Sequence, residues 1–337
     1  MNLRRLIYAA LCVTMLMAGT AAARDADGRL GLIQTPNNTL PAIVAPGGSF
    51  EATLTCQAEI TLAGTDGSSV AVPAQWSELP GGLVKASCTV PAGVAPGLYT
   101  LEAKTADGTD SNGRAVAVVA DTLEYYLAAH LSAPAVAADG TAMAQTISAV
   151  NESGAAFCLI TGDLTQDGTP EQFRAFLQTI DNCTVPTFIC PGPRDRVGGV
   201  YESFIGQAAY FFSFGGDGYI GFDTADACAA NGLAAQDGEL YVYRRAIRSC
   251  RWSVGFTYRC DESMAMRTQL TLFADDPLDY IFCGRATDDK AASTAWGTAL
   301  TITPAGYARF IEVSARGVRA REPQRITGAA APAESAP

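Results

Sequence analysis

One histidine, His130, serves the whole 337-residue chain. Composition therefore excludes any site built from several imidazoles. The chain lacks a Cys-x-x-Cys pair, which argues against a thiolate zinc site, and it has no Gly-x-Ser-x-Gly nucleophile elbow. Positive charge is scarce: 23 Lys and Arg stand against 34 Asp and Glu, a formal charge of −11. That balance argues against nucleic acid and anionic membranes as partners, because both would be repelled. No internal repeat is visible. Past the N-terminus no apolar run approaches the roughly 20 residues that span a bilayer.

What is present begins with a leader. Arg4 and Arg5 precede an almost wholly apolar stretch, 6–17, and Ala21-Ala22-Ala23 then supplies small residues. Residues 1–23 read as a secretory signal cut before Arg24. The alternative is a retained anchor, but the apolar stretch falls short of spanning length. The mature chain is expected to be secreted or periplasmic, without a membrane span. Processing removes Cys12, so the ten cysteines drop to an odd number and at least one thiol stays free or pairs with another chain.

Residues 24–39 read as a linker and 40–120 as an all-β sandwich. Short alternating runs at 50–56, 59–62, 82–90, 98–103 and 115–119 are separated by turns such as Pro46-Gly47-Gly48 and Pro80-Gly81-Gly82. Cys56 and Cys88 fall in separate runs. They are expected to form a disulfide, the alternative being two buried free thiols. The stretch from Val90-Pro91 to Gly97-Leu98-Tyr99 resembles the edge of immunoglobulin-like modules.

Over 121–320 strands alternate with helices. Strands are expected at 123–129, 155–161 and 185–190, then at 209–214, 219–223, 251–258, 279–283, 299–303 and 308–313. Helical spacing covers 141–152, and Thr169-Pro170-Glu171 opens a second helix running to about 181. The order implies an α/β sheet with helices on its faces and right-handed crossovers. Residues 321–337, rich in Ala and Pro, read as a disordered tail.

Ligands in such sheets bind beyond the carboxyl ends of the strands. There the sequence offers Ala128-Ala129-His130, Gly162-Asp163-Leu164, Gly192-Pro193-Arg194-Asp195 and Gly284-Arg285-Ala286-Thr287. This series resembles the calcineurin-like metallophosphoesterases, whose pattern is DxH, GD, GNH[DE], a lone His and GHxH. The resemblance covers roughly 123–318. It implies the α/β (α+β, four-layer) fold of that family and two divalent metals (Fe, Mn or Zn) that clamp phosphoryl oxygens and generate a hydroxide.

Under that resemblance His130 matches the His of DxH, Asp163 the bridging Asp, and Asp195 the acid after GNH. The other positions depart: Ala128, Pro193, Arg194, Arg285 and Thr287 stand where ligands should be, and the lone-His strand ends at Phe256-Thr257-Tyr258-Arg259 without a His. The expectation is an exported pseudo-enzyme with no cofactor. His130, Asp163 and Asp195 are the catalytic candidates, and His130 and Asp163 the metal-site remnants. A residual phosphoesterase with a single-metal site is the alternative. Arg194, Arg259 and Arg285 replace cations by cations. They are expected to hold a small anionic ligand, or else to neutralise Asp163 and Asp195. An envelope protein is the other expected partner.

Overall fold

The computed structural model describes residues 28–119, 123–132, 141–225, 237–260, 273, 275–284, 291–293, 298–304 and 306–325. The expected leader lies outside them, as do Arg285, Thr287, Cys12 and Cys228. No described helix is long and apolar enough to cross a membrane.

The first region holds nine short strands: β1 (Ile33–Thr35), β2 (Ala42–Val44), β3 (Ser49–Leu54), β4 (Glu59–Gly64), β5 (Ser69–Ala71), β6 (Ala74–Glu78), β7 (Val84–Thr89), β8 (Gly97–Lys104) and β9 (Thr109–Val118). One sheet is ordered β1-β3-β7-β6 and the other β2-β9-β8-β4-β5. Alternation along each strand explains their pairing into a shared core. Phe50, Ala52 and Leu54 of β3 point inward, as do Tyr99, Leu101 and Ala103 of β8, and they meet in one hydrophobic cluster. Each fully buried large side chain there contributes about 1.5–3 kcal/mol.

Two expectations fail in this region. The stretch read as a linker is ordered from Gly28 onward, and β1 within it pairs with β3. The disulfide is also absent. Cys88 lies opposite Phe50 in the β3–β7 ladder, whereas Cys56 follows the end of β3 and is exposed. From Phe50 strand β3 carries the chain four residues to Leu54, about 13 Å at 3.3 Å per residue, before Cys56, and a disulfide needs Cα atoms within about 7 Å. Both are free thiols. Burial pushes the Cys88 thiol up to about 12. The inward parity of Phe50, Ala52 and Leu54 would carry on to Cys56, but the strand ends and the chain turns out first.

The second region contains β10 (Tyr125–Ser132), α1 (Thr141–Glu152), β11 (Phe157–Thr161), α2 (Pro170–Ile180), β12 (Thr187–Cys190), α3 (Pro193–Arg196), α4 (Tyr201–Phe204), β13 (Tyr210–Phe214), β14 (Asp217–Gly221), α5 (Asp237–Ala246), β15 (Ser253–Thr257), β16 (Tyr280–Cys283), β17 (Ala291–Ser293), β18 (Ala299–Ile302), β19 (Tyr307–Ser314), β20 (Gly317–Ala320) and β21 (Gln324–Arg325). Strands β12-β11-β10-β19-β20 form one sheet, with β21 also on β19. Strands β13-β14-β15-β16-β18-β17 form the other. β10, β11 and β12 run parallel, as the alternating pattern requires. Helix α2 starts where expected: Thr169 Oγ1 accepts the Gln172 N–H, Pro170 fills the first turn, and Phe173, Phe176, Leu177 and Ile180 line the buried face.

The space between the two sheets is aromatic. Phe157, Phe188, Phe212, Tyr219 and Phe256 share one cluster, and Phe188 stacks on Phe212 at 3.7 Å between ring centroids. Beneath it Asp217, fully buried, accepts two hydrogen bonds from Arg251 at 2.7 and 2.9 Å and one from the Tyr126 hydroxyl at 2.8 Å. This ion pair sits at the amino ends of β14 and β15, away from the site loops. Part of the stretch expected to be a disordered tail is strand: Gln324–Arg325 pair with Tyr307 and Ala308.

The two regions touch through specific groups. Between Tyr99 and Leu101 the β8–β9 register shifts, leaving a bulge around Arg114, which adopts φ +55°. Bulges re-aim side chains, and this one sends the guanidinium onto the Ile180 and Val185 carbonyls at 2.8 and 2.9 Å. Leu40 joins the inter-sheet cluster, and Ile43 and Val119 pack against it.

Candidate functional site

The loops that follow β11, β12, β14 and β15 converge at one end of the two sheets. Three glycines permit the approach. Gly162 has φ +63°, and a Cβ there would overlap the Tyr258 ring. A Cβ on Gly192 would meet the backbone and carboxylate of Asp163, and one on Gly284 would meet Thr161 Oγ1. Asp163 itself adopts φ +43°, a conformation uncommon for a side chain other than glycine.

Asp163 and Arg194 are brought together, with Tyr258 as an unforeseen third member. The Tyr258 hydroxyl donates to Asp163 Oδ2 at 3.0 Å, and the Arg194 N–H donates to Oδ1 at 3.3 Å. Arg194 Nε lies 3.8 Å from Oδ2, with the arginine side chain 53% exposed and the aspartate 20%. The guanidinium therefore stands beside the carboxylate without burying it. Tyr258 directly follows β15. Its ring packs against Gly162 and its hydroxyl meets the Asp163 carboxylate.

Asp195 is a structural member of the loop. Fully buried, it accepts from the N–H groups of Gly192, Leu164 and Thr165 and from the Thr165 hydroxyl, at 2.7–3.1 Å. Burial pushes its carboxyl up to about 6, against the pull of those donors. Arg196, next along, pairs with Asp223 and Glu202 and lies over the Tyr201 ring at 4.8 Å. Arg259 is placed by its N–H on Thr224 Oγ1 at 2.9 Å, and Thr224 in turn bonds Thr257 at 2.9 Å. Arg285 lies outside the described residues.

His130 is not where the sequence placed it. Strand β10 continues to Ser132, and His130 pairs in register with Leu159, with Ser132 opposite Thr161. Asp163 lies past the end of β11, two residues beyond Thr161, whose hydroxyl meets the His130 ring. The imidazole is fully buried, with Nδ1 2.7 Å from Thr303 Oγ1 and Nε2 3.0 Å from Thr161 Oγ1. Burial, with the nearby Arg309 charge, pushes it down to about 3. His130 is thus a neutral core residue under the floor of the site.

These residues do not fit a dinuclear metal centre. Among the described residues no group of three or more His, Cys, Asp or Glu converges. Both His130 nitrogens face hydroxyls, Asp195 is saturated by its loop, and both oxygens of Asp163 face donors of this chain.

A solved structure agrees with this architecture. A purple acid phosphatase from seeds of yellow lupin (Lupinus luteus) superposes with a TM-score of 0.55 and 11% identity, over 83% of this chain and 71% of its own. The fold is of the metallophosphoesterase type. A dimetal phosphatase from Danio rerio gives a TM-score of 0.41 at 9% identity, over 58% of this chain and 98% of its own. GAP50, the anchor in the inner membrane complex of Plasmodium, gives 0.48 at 12% identity, over 63% of this chain and 88% of its own. No protein-family model and no curated sequence matches the chain.

Proposed function

We propose that the chain is an exported pseudo-enzyme: an immunoglobulin-like sandwich joined to a metallophosphoesterase-type domain that binds a partner and does not hydrolyse phosphate esters. The observation that carries this reading is Tyr258. Its ring closes over Gly162 and its hydroxyl bonds Asp163, so the retained carboxylate serves a tyrosine and an arginine. The leader read at 1–23 supports export. The half-exposed Arg194 guanidinium favours a small phosphate- or carboxylate-bearing ligand, because a planar fork pairs bidentately with such groups.

The test is hydrolysis of a generic phosphate ester by the mature protein with added Mn²⁺ or Fe, alongside bound-metal analysis. No turnover and near-zero metal are expected. Metal-dependent turnover that disappears in Asp163→Asn would establish a residual phosphoesterase instead. Thermal stabilisation by phosphate, sulfate or nucleotides, lost in Arg194→Ala, would support the anionic ligand.

A further inference from the structure

We infer that residues 28–40 form an intramolecular strap that fixes the site loop 192–206 in place. The segment follows the expected leader cleavage point after four residues, and its contacts with the second region concentrate on 203–206. The Leu30 N–H donates to the Ser203 carbonyl at 2.8 Å. Arg29 Nη1 donates to Ser203 Oγ at 2.8 Å, and its guanidinium lies 5.1 Å from the Phe204 ring centroid. Asn37 Nδ2 and the Thr39 hydroxyl both donate to the Ile205 carbonyl, at 3.1 and 3.2 Å. Asn38 Nδ2 reaches Asp181 Oδ1 at 2.6 Å. Leu40 closes over Gly206, where a Cβ would press on its methyl at 3.3 Å.

Asn37 and Thr39 are both fully buried. Buried polar side chains are stabilising only when their hydrogen bonds are made; here Asn37 divides its amide between the Gln34 and Ile205 carbonyls, and the Thr39 hydroxyl lies between Asn37 Oδ1 and the Ile205 carbonyl. Asn37 Oδ1 also accepts the N–H groups of Thr39 and Leu40 at 2.8 and 3.1 Å, so the strap's own turn is built by the side chain that grips the loop.

The grip reaches the site by a short route. Glu202 stands beside Ser203 and pairs with Arg196, which pairs with Asp223. Arg196 adjoins Asp195, whose carboxylate ties Gly192, Leu164 and Thr165 together. A strap that slackens lets the 200–206 segment move, and Arg196 then loses a fixed partner. Residues 28–40 are thus positioning residues for the surface that carries Arg194, acting without touching a ligand.

Hydrogen exchange on the full mature chain tests this. Two variants are compared with wild type: Asn37→Ala, and the double variant Arg29→Ala with Asn38→Ala. The double variant removes contacts at the rim and keeps the fold readable if Asn37→Ala does not fold. Amide exchange in 192–206 should rise by about tenfold in the folded variants, while the β8–β9 ladder keeps wild-type protection. Unchanged exchange in 192–206 in the double variant would overturn the strap. So would an equal rise in 192–206 and in β8–β9, because that is global destabilisation.

Discussion

Acidification should act on this fold through its single imidazole. His130 is pushed from 6.5 to about 3, so as pH falls the unfolded chain takes up the proton first. Stability from the neutral ring is complete above pH 6.5 and is lost as pH falls toward 3. Near pH 5 the loss amounts to about 2 kcal/mol, at about 1.4 kcal/mol per unit. Asp195 acts in the opposite sense. Its folded carboxyl is raised from 3.8 to about 6, so the fold binds this proton first and gains stability as pH falls through 6. That gain is about 1 kcal/mol near pH 5. The two terms oppose each other in the wild type and separate on substitution. In His130→Gln the change in unfolding free energy between about pH 7.5 and pH 5 should shift by about 2 kcal/mol in favour of acid, read from guanidinium unfolding at both pH values. The His130 ring proton, one resonance in a chain with one histidine, should not titrate between about pH 8 and pH 5. A resonance titrating near 6.5, or the same pH slope in variant and wild type, would refute the buried neutral imidazole.

Arg194→Ala should change stability by less than about 1 kcal/mol, as expected of an exposed pair, whereas Arg196→Ala, which unpairs a carboxylate 8% exposed, should cost about 3 kcal/mol in denaturant unfolding. Tyr258→Phe removes one donor from Asp163 and should cost about 1–2 kcal/mol; no loss of thermal stability would show that the hydroxyl does not hold the site closed. Asp217→Asn leaves Arg251 without its buried carboxylate and should cost about 3–5 kcal/mol, measured as a lower denaturant midpoint with an unchanged slope.

Much of the fold could be read in advance because its signals are local. Helix α1 occupies the expected 141–152, and the Thr169-Pro170 start of α2 needs only its own side chains. Strands β3 and β8 show themselves by alternation. The failures came where a distant contact decides. β1 and the Asn37 turn look like linker because their partners, Leu54 and the Ile205 carbonyl, are remote in sequence. Helix α5 was missed because exposed Tyr241 and Val242 blur its apolar face. At the site, Asp163 and Arg194 were legible as neighbours through their glycine loops. His130 was misplaced because a polar residue after two alanines reads as a strand end, while β10 runs on to Ser132. Tyr258 passed as the absence of a histidine. Its ring against Gly162 and its hydroxyl on Asp163 make it a component of the site.

The Arg114 fork has a consequence for assembly in time. The carbonyls it satisfies lie at and just past the end of α2, the negative pole of that helix, where a cation is favoured. The end of this helix therefore receives, beside its own local caps, a cation from some seventy positions earlier in the chain. A chain made from its N-terminus completes the β8–β9 bulge before α2 exists, and domains made first tend to fold first. The earlier region then holds a charged donor ready for a helix end whose carbonyls also accept the N–H groups of Asp181, Asn182 and Cys183.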